Sequence, residues 1–422
     1  MNKKIKILTL SDHPLSPSGV GTQTRYIIEG MLKTGKYEFF SLAGAIKHDN
    51  YNLVKVQEYQ EDWSILPVDG YGNQDLIRSI LRNEKPDILW FMTDPRFWSW
   101  LWEIENEIRS VVPMIYYHVW DNYPYPRFNK QYYDSNDLVV AISKVTDDFV
   151  KNVSPGVESI YLPHSVDTDV FKINNESAIE KFKKESFPNE ENKDKVYFFW
   201  NNRNARRKQS GTLVFWFKEF LDKVGHENAT LIMHTDARDP HGQPLDYLIR
   251  ELGLENKGGI LLSTDKYPPE TLAMMYGMCD CTINISDAEG FGLATLESLA
   301  CGTPIIVNMT GGLQEQVTDG EEWFGVGIEP SSKAVIGSQE VPYIYEDRIS
   351  KEDFIDALLK IYNSTKEERE ELGRKGREHV MKNYNFENYI QKWDDIFMDV
   401  HKRCGSWENR KNYKSWTLEE VA

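Results

Sequence analysis

Residues 286–312 read SDAEGFGLATLESLACGTPIIVNMTGG, and the fold follows from how that stretch is understood. Glu289 and Glu297 stand eight residues apart. Between them, Gly290-Phe291-Gly292 opens into Leu293-Ala294-Thr295-Leu296, which reads as the first turns of a helix. The two glycines leave backbone N–H groups uncovered where that helix starts. Orphan amides and the helix dipole point the same way there, so a phosphate is best held at that end. Glu289, just before the loop, is placed to accept hydrogen bonds from hydroxyls on whatever the phosphate carries. Glu297 lies about two turns further on, at roughly 3.6 residues per turn, and reaches back along the same face to another hydroxyl-bearing group. A diphosphate with a sugar at each end, which is a nucleotide sugar, fits this spacing. A lone loop glutamate is ordinarily a solvated charge and a lone Gly-x-Gly ordinarily a turn; the joint pattern carries the reading.

The pattern resembles the signature of family 4 glycosyltransferases, retaining enzymes of the GT-B fold, in which EGFG is followed by a second glutamate at this spacing. The likeness continues through Ala300-Cys301-Gly302-Thr303-Pro304 and Gly311-Gly312. It implies an α/β architecture of the GT-B kind: two Rossmann-like doubly wound domains facing across a cleft. Residues 1–165 would form an acceptor domain, completed by a crossing helix and tail at 386–422. Residues 166–385 would form the donor domain.

A chain of 422 residues suits two or three domains. Its formal net charge of −17 argues against a nucleic-acid surface, which demands clustered Lys and Arg. The same charge disfavours broad adhesion to anionic lipid and leaves local peripheral contact open. Cys279 and Cys281 are too close for a relaxed bridge, and no second metal-ligand pair lies near them in sequence. With Cys301 and Cys404 they read as small apolar residues in a reducing cytoplasm. The N-terminal apolar stretch is short and ends at Ser11-Asp12-His13-Pro14, as a strand would and a signal peptide would not. No apolar run approaches the length of a membrane span.

In the first half, Ile5–Leu10 reads as a buried strand, followed by a loop with Gly19 and Gly21 and a helix from Thr22. Strand, glycine loop and helix open a doubly wound domain. The loop is either a phosphate contact or a turn needed for packing. As a dinucleotide fingerprint it fails, because Thr24 stands where the third small residue belongs. The family carries a glycine loop here that borders donor diphosphate and acceptor. His118 ends a strand in MIYYHVWDNYP, and the family resemblance sets it beside the transferred sugar. Asp121 either serves the acceptor or caps the next segment. Trp120, Tyr123 and Tyr125 lie in a proline-rich loop that suits a carbohydrate acceptor or a plain interface patch.

In the second half, a strand over 195–200 ends in Asn201-Asn202-Arg203-Asn204-Ala205-Arg206-Arg207-Lys208. Guanidinium forks take phosphate oxygens in pairs, and lysine adds a point charge. The family places an arginine and a lysine on the donor diphosphate at the spacing of Arg203 and Lys208. Arg207 competes for the arginine role, and Asn202 and Gln209 depart from the usual glycines. His234, Asp236, Asp239 and His241 fit no strong metal motif, and the fold implied here needs no metal. Ser263 ends the strand whose following loop reads the nucleobase in the family. The segment 172–195 reads as an exposed connection, 319–348 as irregular, and the tail from Arg403 as loosely held.

The resemblance therefore implies a metal-independent hexosyltransferase using a UDP- or GDP-sugar and a carbohydrate or glycoconjugate acceptor. His118, Glu289, Arg203 and Lys208 would be catalytic. Gly19, Gly21, Ser263, Gly290, Phe291, Gly292, Leu293 and Glu297 would line the donor, and Asp121, Trp120 and Tyr123 the acceptor. Domain closure would exclude water from the donor. A nucleotide-sugar epimerase or hydrolase of the same fold, or a binding protein without turnover, remain alternatives.

Overall fold

Runs of apolar residues buried on both faces build two sheets. In the computed structural model, which describes residues 3–255 and 257–417, the chain divides into two units. The first holds the described residues up to His164, Gly337–Tyr343 and those from Glu387 onward. The second holds Ser165–Ile336 and Ile344–Phe386. The segment Gly337–Tyr343, expected with the donor domain, thus falls with the first unit.

The first unit contains β1 (Ile5–Asp12), β2 (Tyr37–Gly44), β3 (Val54–Lys55), β4 (Trp63–Pro67), β5 (Ile88–Thr93), β6 (Met114–His118), β7 (Leu138–Ala141) and β8 (Ser159–Tyr161). They run in the order β3-β4-β2-β1-β5-β6-β7-β8. All neighbours are parallel except β3, which lies antiparallel on the edge. Strands such as β5, ILWFMT, are buried throughout, as expected where helices cover both faces. The helix Gly19–Lys33 starts on Ser18, whose hydroxyl accepts from the Gly21 amide at 3.0 Å.

The closing helix, Phe386–Cys404, packs from Glu387 onward within this unit. Its Trp393 meets Trp90 and Tyr117 edge-on, and Asp394 takes the Tyr37 hydroxyl at 2.6 Å. The tail is not loose where it is described. Ser406 donates to Asp87 at 2.9 Å, the Trp407 indole to the Pro86 carbonyl at 2.9 Å, and Arg410 to Asp137 at 2.7 Å. Polar residues hold this tail by buried and part-buried hydrogen bonds, a pattern that hydropathy does not register. Residues 418–422 lie outside the described residues.

The second unit contains β9 (Val196–Asn201), β10 (Ala229–His234), β11 (Ile260–Ser263), β12 (Cys281–Asn284), β13 (Ile305–Asn308) and β14 (Gly325–Ile328). The all-parallel order is β11-β10-β9-β12-β13-β14. Phe198, Trp200, Leu213, Phe217, Leu231 and Ile283 centre its core. One expectation holds here, the exposure of 172–195, and one is corrected. The connection 172–195 contains a helix, Glu176–Ser186, none of whose residues is buried. The stretch 319–348 holds β14 and an antiparallel hairpin, β15 (Ser332–Ile336) and β16 (Ile344–Arg348). β15 presents mostly exposed side chains, so it lacks the apolar alternation that marks a half-buried strand.

Candidate functional site

Strand order in the second unit reverses between β9 and β12, which pair directly through Cys281 and Phe198. Loops at the carboxyl ends of such a pair run apart, which makes the reversal the natural ligand site of an open α/β sheet. The loop after β9 is the basic run. It ends in a short turn, Arg206–Lys208, with Gln209 in the left-handed region at φ 56° before the helix Ser210–Val224. The loop after β12 is the acidic one and enters the helix Leu293–Ala300 through Gly292, at φ 92°.

The two loops are joined. The Asp287 amide donates to the Arg207 carbonyl at 2.8 Å, and Gln209 Nε2 to Asp287 Oδ2 at 2.6 Å. Lys208 Nζ forms an ion pair with Glu289 Oε2, both side chains only 10% exposed. Arg207 donates to the Ala288 carbonyl at 2.5 Å and lies 3.8 Å from Glu289 Oε1. Burial pushes the Glu289 carboxyl up, but the Lys208 and Arg207 cations outweigh burial and hold it below its ordinary value. The glutamate is therefore charged and ready to accept hydrogen bonds.

Glycines hold the loop in register. Gly311, at φ 50°, passes so close to Glu289 that an added Cβ would strike its carbonyl oxygen at 1.8 Å. The Gly312 amide donates to that oxygen at 3.0 Å. Gln316 Nε2 donates to the carbonyls of Phe291 and Gly292 at 2.7 and 3.1 Å. Phe291 is buried against Tyr384, and Gly290 packs under Gly312. Carbonyls are thus taken up by the protein around Gly290, Phe291 and Gly292, while Leu293 begins a helix whose first amides have no intrahelical acceptor.

The other expected donor residues sit apart from the ion pair. Glu297 accepts from the Tyr276 hydroxyl at 2.7 Å, and Asn201 donates to that hydroxyl oxygen at 2.9 Å. Burial pushes the Glu297 carboxyl up to about 7, with the Tyr276 bond opposing. Ser263 Oγ lies 3.0 Å from His234 Nδ1, and His234 stacks on Tyr267 at 5.5 Å between centroids. Arg203 does not join Lys208. Its guanidinium is turned to Asp239, at 2.7 Å, and to His241 Nδ1, at 2.7 Å. Arg203 and Lys208, the pair expected on the diphosphate, thus hold different carboxylates, and Arg207 is the arginine that shares Glu289 with Lys208.

In the first unit His118, the residue expected beside the transferred sugar, is fully buried. Its Nδ1 lies 3.1 Å from the Tyr116 oxygen and its Nε2 2.9 Å from the Tyr133 oxygen. Tyr116 donates its own hydrogen to the Thr93 carbonyl at 2.6 Å, so Nδ1 donates and Nε2 accepts. Burial holds the imidazole neutral, with its pKa down to about 3. Trp120 is also buried, its indole donating to the Asn122 carbonyl at 2.8 Å. Tyr123 and Tyr125 both donate to Asp148, at 3.1 and 3.0 Å, and Asp121 is half-buried. Gly19 is the first residue of its helix. A Cβ at Gly21 would strike the His13 carbonyl at 2.6 Å, so close packing alone requires that glycine.

Sequence reasoning missed Asp287, Tyr276 and Gln209 as parts of the site. Gln209 stood in the basic run, but nothing in a single sequence says that a tyrosine on the helix Pro269–Met278 reaches Glu297.

These two α/β units, one with its reversal point occupied by a basic turn and a glycine-rich acidic loop, have the GT-B glycosyltransferase fold. The structure of sucrose-phosphate synthase from Thermosynechococcus elongatus is similar with a TM-score of 0.74 at 15% identity, over 94% of this chain and 100% of that one. Anabaena HepE, solved with UDP and glucose, is similar with a TM-score of 0.67 at 14% identity, over 93% and 99%. Residues 181–379, within the second unit but for the Gly337–Tyr343 segment, match the family model of glycosyl transferases group 1. Among curated relatives, D-inositol 3-phosphate glycosyltransferase of Corynebacterium jeikeium is 29% identical over 49% of this chain and 49% of its own length. N-acetyl-alpha-D-glucosaminyl L-malate synthase of Bacillus anthracis is 23% identical over 47% and 44%. The chain thus spans about half the length of these curated relatives.

Proposed function

We propose that this protein is a retaining glycosyltransferase of family 4. It moves a hexose-type sugar from a UDP- or GDP-sugar to a carbohydrate or glycoconjugate acceptor. The observation that carries the reading is the Lys208–Glu289 pair at the reversal point, beside the start of the helix Leu293–Ala300. A cation, a carboxylate and a helix N-terminus meet where a diphosphate and its sugar need them.

In this reading Lys208, with Arg207 and the helix amides, neutralises the leaving diphosphate as the glycosidic bond breaks. Glu289 then exchanges its lysine for hydroxyls of the transferred sugar. Glu297, aimed by Tyr276, takes the ribose hydroxyls. The leaving charge is assigned to these side chains rather than to a metal ion, so transfer is expected to persist in chelator. The same reading places the protein in the cytoplasm, in keeping with four cysteines that are all free.

A thermal-shift screen over UDP-, GDP- and ADP-sugars tests the reading, because a ligand that binds only the native state raises apparent stability. One donor is expected to raise the melting temperature and to be consumed only with an acceptor present. Conversion without acceptor would instead mark an epimerase or hydrolase, and no shift with any donor would end the proposal. No helix among the described residues is long and apolar enough to cross a membrane.

A further inference from the structure

The β15–β16 hairpin plays no part in the chemistry described above, yet its returning strand touches the basic turn, the acidic loop and the glycine turn of the phosphate site. Glu346, 2% exposed, accepts from both terminal nitrogens of Arg206, Nη1 at 3.0 Å. It also accepts from Arg348 at 3.1 Å. Arg206 opens the turn that ends in Lys208. The next residue, Asp347, donates its amide to the Asp287 carbonyl at 2.9 Å, two residues before Glu289. Its carbonyl accepts from Asn308 at 2.9 Å, at the end of β13, and its carboxylate from Thr310 at 2.8 Å, one residue before Gly311. One strand therefore grips the basic turn, the acidic loop and the glycine turn beneath it.

We propose that the hairpin is a brace for the donor diphosphate site, with Glu346 a positioning residue that acts through Arg206 on Arg207 and Lys208. The inference rests on the nucleotide-sugar reading above. A bidentate guanidinium–carboxylate fork fixes orientation as well as distance, which a single point contact does not. The Arg206 side chain is 59% exposed, so burial does not hold it in place and the fork must. The fork needs a charged carboxylate, and Glu346 supplies one. Burial pushes its carboxyl up, and Arg206 and Arg348 bring it below its ordinary value. A site whose supporting contacts are loosened loses much of its grip, even when every contacting group is still present.

Two roles for Glu346 have opposite signs. As a brace, its loss weakens diphosphate binding. As a mere countercharge, its loss leaves the turn more cationic and strengthens binding. The test titrates UDP, GDP, inorganic pyrophosphate and the bare nucleosides into wild type, Glu346→Gln, Arg206→Lys and Lys208→Ala by calorimetry. Arg206→Lys keeps the charge and removes the fork, and its surface position lets it fold. Both Glu346→Gln and Arg206→Lys are expected to weaken diphosphate and pyrophosphate binding roughly tenfold, about 1.4 kcal/mol, and to leave nucleoside affinity unchanged. Arg206→Lys binding pyrophosphate like wild type, or Glu346→Gln binding it more tightly, overturns the brace. If Lys208→Ala also binds pyrophosphate like wild type, the nucleotide-sugar reading fails and takes the brace with it.

Discussion

Arg203 is gripped by a carboxylate of its own chain: Nε lies 2.7 Å from Asp239 Oδ2, and Nη2 lies 3.3 Å from Oδ1. The bond to Arg203 pulls the Asp239 carboxyl well below the usual carboxylate range, so the competitor stays charged across ordinary pH. A diphosphate that uses Arg203 must displace this partner. Asp239→Asn is therefore expected to tighten nucleoside-diphosphate binding several-fold while changing stability little, because the arginine of the pair is solvent-exposed and such pairs are worth about 0–1 kcal/mol. Calorimetric titration checks it. Unchanged affinity in both Asp239→Asn and Arg203→Ala would assign Arg203 to the surface pair alone.

The Lys208–Glu289 pair is buried, and breaking a buried pair from one side leaves a charge without its neutraliser, at a cost of about 3–5 kcal/mol. Lys208→Ala and Glu289→Ala are each expected to lower the melting temperature and abolish most transfer. The double variant Lys208→Met/Glu289→Gln removes both charges together. It is expected to regain most of the lost stability and none of the activity. Transfer at the wild-type rate in either folded single variant would refute the assignment.

Glu297 titrates near neutrality. Burial raises its folded pKa to about 7, above its value in the unfolded chain, so the folded state binds this proton more tightly. Its contribution to stability is fully present below the unfolded carboxylate range and is lost as pH rises through about 7. The scale is about 1.4 kcal/mol for each unit of separation. Glu297→Gln removes that slope. Melting curves of the ligand-free protein between pH 5 and pH 8 are expected to fall more steeply for wild type than for Glu297→Gln, about 1 kcal/mol or more across the range. Parallel curves would show that Glu297 is already ionised throughout.

Both ring nitrogens of His118 hydrogen-bond buried tyrosine hydroxyls, those of Tyr116 and Tyr133. His118→Phe leaves the Tyr133 hydroxyl without its acceptor, and an unpaired buried polar group costs about 1–3 kcal/mol. A lower melting temperature with kcat within about twofold of wild type is the expected result. A large loss of kcat at unchanged KM and unchanged stability would put the imidazole back at the reacting sugar.

Local pattern made much of this molecule legible. The buried strands β1, β5, β6 and β9 announced themselves as short apolar runs, and the glycine loop announced the helix Leu293–Ala300. The hairpin β15–β16 did not, because its strands bury no continuous face. The described tail did not, because polar side chains such as Arg410 hold it through specific bonds. Family spacing favoured Arg203 over Arg207 in the basic run, but the letters alone said nothing of which carboxylate each would meet. Only the turn at Arg206–Lys208 and the carboxylate at Asp239 separated them.

Neighbours along the chain were enough to mark a glycine-rich acidic loop before a helix and a basic run after an earlier strand. That these two stretches, 81 residues apart at Lys208 and Glu289, share one site was decided by the tertiary structure. Strand order sets β12 beside β9, and no local preference encodes which strands become neighbours. The same is true of Glu346 and Tyr276, whose partners are chosen by the packing of distant elements rather than by spacing.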